Sequence, residues 1–192
     1  MSYLVLQFWG GLFYLMNKIC FSQAERSLNS NSRRTWQISA WVAYLAGLPV
    51  WVIVFISENN WIAAGVEAGG APSMIMGLII AKNASTQSPG WLDYLSRIMV
   101  ILGLLISFYE FGGLTVLTQY LELGISAGFL MGTYFLAKNE GAGYLWLMLG
   151  NLACSVLMGI QGYWILSIQQ ILSFVFVMDA FRSKINQPVF YK

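Results

Sequence analysis

Histidine is absent from this chain of 192 residues, and charged side chains make up only 9% of it. The first absence removes the commonest general base, proton shuttle and metal ligand. No Ser or Cys stands beside another plausible base, so the expectation is a protein that is not an enzyme and that uses no metal or cofactor. The second absence excludes a water-soluble domain, which carries about 25% charged residues. Only two cysteines occur, Cys20 and Cys154, each inside an apolar run and far apart in sequence. They read as small hydrophobes, not as a disulfide or zinc pair. No GxxxxGK[ST] phosphate loop is present, so direct ATP drive within the chain is not expected. Nothing points to nucleic acid as a partner. The opening "MSYLVLQFWGGLFYLMNK" lacks a basic leader and a small-residue cleavage site, and reads as a retained first span.

What remains is apolar. Hydrophobic residues make up 58% of the chain, and the mean hydropathy is +0.65. A bilayer core takes about 20 apolar residues per helix. Seven runs approach that length: Tyr3–Cys20, Gln37–Ile56, Trp61–Ala81, Leu95–Tyr109, Leu114–Ala137, Tyr144–Ile160 and Trp164–Phe181. They are continuous and do not alternate, which predicts helices and not barrel strands. The fold expected is an all-α integral membrane protein with the lipid bilayer as its surroundings. The longest connections, Phe21–Trp36 and Lys82–Tyr94, are polar.

Charge placement predicts an orientation. With seven spans, all ten Lys and Arg residues, from Lys18 to Lys192, fall in the connections or helix ends of one side, and none on the other. Cytoplasmic loops carry such an excess, so the N-terminus is expected outside and the C-terminus in the cytoplasm, with a bacterial cytoplasmic membrane as the setting. Trp61 and Trp164 then fall at the outer interface, as belt aromatics do.

Transporters are often built from internal repeats. Aligning Met16 with Met131 matches Leu15 with Leu130 and Tyr14 with Phe129, and sets Gln7 opposite Glu122. Aligning Trp61 with Trp164 sets Glu67 opposite Gln170, and the same offset puts Gly47 opposite Gly150. At 1.5 Å per residue, Glu67 and Gln170 lie about 9 Å below the outer ends of their spans. Gln7, Glu122 and Asn151 are expected in the same layer. The organisation expected is two three-helix repeats joined by a linker helix (3+1+3): repeat one over about 3–81, the linker over about 92–110, repeat two over about 114–181, and a tail over 182–192.

That topology, with "WLMLGNLACSVLMGIQGYW" carrying Trp146 and Asn151 in the sixth span, resembles the SWEET-like architecture and, within it, the PnuC-type vitamin transporters. The resemblance implies facilitated transport of nicotinamide riboside or, in relatives, another vitamin.

The candidate site follows from polar residues inside apolar runs. An intramembrane carboxylate normally faces a cavity or a partner. Glu67 is the clearest case, because "EAGGAPS" places Gly69, Gly70 and Pro72 just after it. Pro72 lacks a backbone N–H and its ring clashes one turn back, while the glycines let the chain bend and let another group approach. Gly69, Gly70 and Pro72 are therefore candidate hinge residues, with Pro49 a second bend. Glu122 is the second candidate acid, and the amides Gln7, Asn151 and Gln170 accompany the two. Trp41, Tyr44 and Trp146 are candidates for stacking a planar ligand. Glu110 is expected at the outer boundary in solvent, and Asp179 paired with Arg182. Two acids with amides and aromatics suit a ring cation, of which nicotinamide riboside and thiamine are examples; the acids could equally carry a coupling proton. The competing expectation is a membrane subunit or scaffold whose acids and small-residue faces serve assembly with a copy of itself or another membrane protein. A polar cavity converging on Glu67 and Glu122 would favour transport; a dry, packed centre would favour the scaffold.

Overall fold

The computed structural model describes residues 3–57, 59–85, 87–110 and 116–186, with no strand among them. Eight helical segments follow one another: α1 (Tyr3–Arg26), α2 (Ser30–Ser57), α3 (Trp61–Gly69), α4 (Ala71–Asn83), α5 (Gly90–Glu110), α6 (Leu117–Ala137), α7 (Ala142–Ile160) and α8 (Trp164–Ile185). Taking α3 and α4 as one broken span, six helices among the described residues are long and apolar enough to cross a membrane. α1 is as long as its neighbours, but Gln7, Asn17 and Lys18 dilute it and it does not reach the same apolarity.

The helices outrun the apolar runs where charged residues find partners. α1 continues past Cys20 to Arg26, and α2 starts at Ser30, where the Asn29 side chain accepts the Asn31 N–H at 2.9 Å. The polar connection expected over Phe21–Trp36 thus shrinks to 27–29, and that expected over Lys82–Tyr94 shrinks to 84–89. α5 likewise takes in Asp93, whose carboxylate meets Arg97 one turn on at 2.6 Å. Glu110 closes α5, and its side chain lies outside those described, as do residues 187–192 of the tail.

α3 and α4 part at Gly70. Asn60 starts α3 by accepting the Ala63 N–H at 2.9 Å, and the Gly70 N–H folds back to the Glu67 carbonyl at 3.1 Å. Pro72 stands in the first turn of α4, where a missing N–H costs no helical bond. Pro49 sits inside α2, and that helix stays continuous through it.

The packing is cyclic. α1 packs on α2, α2 on α3 and α4, α4 on α6, α6 on α7, α7 on α8, and α8 on α1. α5 lies against α3, α4 and α6, on the outside of the α4–α6 seam. Tight glycine contacts draw neighbours together. Gly128 of α6 lies directly on the backbone of Gly150 of α7.

The two ends of the ring differ. Toward the C-terminal ends of α1, α4, α6 and α8, called here the basic end, Phe21, Trp41, Met76, Leu136, Tyr144 and Leu147 form a continuous buried core. Phe21 meets Trp41 and Tyr144 edge-on, at centroid distances of 5.0 and 6.3 Å. Trp41 fits because Gly77 of α4 leaves its place empty. Toward the other end the helices part around a cavity.

Candidate functional site

The cavity holds about 830 Å³, within the 300–1,000 Å³ or so of small-molecule sites. Helical periodicity decides who lines it. Gln7 and Tyr14 stand two turns apart on α1; Ala63, Glu67, Gly70 and Met74 share one face of α3 and α4; Glu122, Ser126, Phe129 and Thr133 share one face of α6; Cys154, Leu157, Met158 and Gln161 share one face of α7; and Gln170 comes from α8. Asn59, Asn60, Gln161 and Tyr163, all exposed, form the rim. The floor is Tyr44, Met74 and Thr133, all buried, with the Tyr44 hydroxyl 3.2 Å from Thr133 Oγ1.

Of the candidates drawn from sequence, Gln7, Tyr44, Glu67, Glu122 and Gln170 line this one cavity, and so does Gly70 of the hinge set; Gly69, Pro72 and Pro49 do not. Trp41, Trp146 and Asn151 do not reach it either. Trp41 lies one turn below Tyr44 on α2, stacked beneath it at 6.4 Å between centroids, so Tyr44 screens it from the cavity. Asn151 lies one turn below Cys154, where α6 and α7 close on Gly128 and Gly150 and leave no room. It is buried, and its Nδ2 has no hydrogen-bond partner among the described residues. Trp146 is further toward the basic end on the same seam, where its carbonyl faces Gly128. Asp179 is also partnered differently from the expectation: it takes Arg26 of α1 in a two-pronged pair at 2.5 and 2.8 Å, together with the Ser22 hydroxyl, because α8 packs against α1 there.

Among the described residues, the cavity walls carry two carboxylates, Glu67 and Glu122, and no Lys or Arg. The Tyr14 hydroxyl donates to Glu67 Oε1. Among the described residues no cation lies within ion-pair range of Glu67. The nearest buried amine to the floor belongs to Lys18, whose Nζ sits 4.5 Å from the centre of the Tyr44 ring. Aromatic faces from Tyr14, Tyr44, Trp51, Phe55 and Phe129 enclose the space around the acid. Chemically, carboxylates are acceptors that can carry negative charge, and rings supply both contact area and a negative quadrupole face. Among the described residues there is no cluster of three metal-ligating side chains.

Sequence reasoning had Tyr14 only as a marker of the repeat, not as the hydroxyl that holds Glu67. The available signal was spacing: Tyr14 stands two turns from Gln7 on one helix face. It also missed Glu25, which falls within the polar connection expected over Phe21–Trp36. In the fold Glu25 is buried, its side chain only 2% exposed, with Arg33 at 2.7 Å, Tyr144 at 2.9 Å and Lys184 at 3.2 Å.

Comparison of this chain with protein-family models, with curated proteins and with solved structures finds no match.

Proposed function

We propose that this chain is a multi-pass membrane transporter, a facilitator for a small solute that carries positive charge on a ring-bearing body, and that the cavity is its binding site open to the outer side. The observation that carries this reading is a cavity onto which Glu67 and Glu122 converge with no basic residue among the described residues of its walls, closed at the other end by a packed core. A scaffold has no need of such a chamber, since an unoccupied polar cavity gives up packing. The basic residues around the closed end favour a cytoplasmic assignment for that end, with the N-terminus outside. Nicotinamide riboside-like and thiamine-like ring cations suit the size and chemistry of the walls.

Two three-helix repeats joined by α5 belong to the same proposal, and side-chain contacts support it. Gly47 of α2 meets the Tyr14 ring of α1, and its counterpart Gly150 of α7 meets the Phe129 ring of α6, the residue aligned with Tyr14. Gln7 and Glu122 line the cavity as a matched pair, and so do Glu67 and Gln170. The seams repeat as well: α4 on α6 corresponds to α8 on α1, while α5 has no counterpart.

The test is reconstitution. Protein in liposomes is offered a panel of ring cations and their neutral counterparts, with and without a pH gradient. Saturable uptake of a cation, with its neutral analogue excluded, is the expected result. Dependence on the gradient would add a coupling proton to the role of the acids. A folded protein that moves nothing across a broad panel would sink the transport reading and favour the scaffold.

A further inference from the structure

We infer that Glu25 is the clasp of a gate at the basic end, holding the two halves of the bundle shut beneath the cavity; this rests on the transport reading above. Glu25 belongs to α1. It takes Arg33 from α2 on its own side of the seam, and Lys184 of α8 and Tyr144 of α7 from the other side. The next residue along, Arg26 of α1, grips Asp179 of α8. Among the described residues, the ionic contacts across the α1–α8 seam therefore lie at the basic end. Near the cavity the same seam carries a neutral bond, from Gln169 Nε2 to the Gly11 carbonyl at 2.9 Å. A seam ionic at one end and neutral at the other separates most readily about the neutral end once the ions let go.

Burial of the cluster fits a clasp better than a permanent staple. Apolar side chains of similar volume often hold a bundle at least as firmly as a buried ion pair, so the charges have another use. The cations can leave: the side chains of Arg33 and Lys184 are 23% and 17% exposed, already at the water-facing rim. Tyr144 couples clasp to plug. Its hydroxyl donates to Glu25 while its ring meets Phe21 edge-on in the core that blocks the cavity floor. Freeing Glu25 frees Tyr144, and with it the plug.

The experiment reads conformation and needs no substrate. Spin labels are placed at Leu28→Cys, after α1, and Ile185→Cys, at the end of α8, both exposed positions outside the cluster, in a background of Cys20→Ala and Cys154→Ala. The distance distribution is measured in lipid nanodiscs for the parent, Glu25→Gln and Lys184→Gln. In parallel, Cys154 of the otherwise native chain, which lines the cavity, is timed against a bulky thiol reagent. The parent should give one short-distance population. Glu25→Gln should enrich a longer one by about tenfold and slow Cys154 modification, with Lys184→Gln in between. Unchanged distances in whichever variant folds would overturn the clasp, and loss of folded protein in both would make the cluster a staple. A shifted distribution in a protein that carries no solute leaves the clasp standing and removes the transport reading instead.

Discussion

Glu25 and Glu67 are both carboxylates on helices of one bundle, and the two ends of the molecule treat them in opposite ways. Glu25 is held by two cations and a phenol within 3.2 Å, in a region with a continuous packed core. Glu67 accepts from the Tyr14 phenol and faces an open chamber with no basic residue among the described residues of its wall. The difference shows that burial of an acid does not by itself mark a binding site. What matters is whether its charge is already answered. At the basic end the protein answers it internally. In the cavity, under the proposed function, the answer to Glu67 is left to the solute.

The largest expected effect tests that contrast directly. Glu67→Gln keeps shape and hydrogen bonding but deletes the charge. A hydrogen bond to a charged group contributes about 1.5–3 kcal/mol, so binding of a ring cation should weaken roughly tenfold to a hundredfold, while a neutral analogue changes little; titration calorimetry on purified protein reads both. Equal affinity for the cation in wild type and variant would erase the contrast between the two acids.

Next in size is a packing test. A methyl group added at Gly128 would overlap the backbone of Gly150 and stand 2.8 Å from the Trp146 carbonyl. Backbone cannot step aside as a side chain tip can, so Gly128→Ala should cost about 1–3 kcal/mol, seen as a lower thermal midpoint in detergent.

A smaller effect is expected at Tyr14. Tyr14→Phe removes one hydroxyl from Glu67 and leaves the ring. The loss should be about 1 kcal/mol, or roughly fivefold in cation affinity. The reverse change at the repeat-related place, Phe129→Tyr, adds a hydroxyl near an amide-bearing helix and should not restore what Tyr14→Phe loses. If it does, the two halves are interchangeable and the asymmetry of the site is not functional.

The smallest effect is at Gly65 of α3, where an added methyl meets nothing within 4 Å. Gly65→Ala should leave stability within about 0.5 kcal/mol of the parent. A loss as large as that at Gly128 would mean that the cavity end is packed far more tightly than its geometry implies.

Much of the site was legible because it obeys helical periodicity. Gln7, Glu67, Glu122 and Gln170 are polar residues interrupting apolar runs at matched depths, and all four reach one chamber. Tyr44 joins them, whereas Trp41, one turn below, does not, since nothing in the spacing says which of two stacked aromatics forms the surface. Asn151 is lost to the cavity for a similar reason: whether a helix face is open depends on how closely the next helix approaches, and here two glycines bring α6 and α7 together. The helix ends were misjudged where charge was taken as a sign of solvent. Glu25 and Arg26 extend α1 because they meet partners brought in from α7 and α8, more than a hundred residues away, and Arg33 joins Glu25 from the start of α2.

The sequence by itself determined the all-α class, the chain of apolar helices, the break near Gly70 and the gathering of basic residues at one end. Composition and periodicity act within a few turns, and those properties need nothing longer in range. Which acid is neutralised and which is left facing a cavity was decided only by the tertiary structure. The energy of a buried charge depends on the groups within a few ångströms of it, and those come from helices that local sequence does not connect.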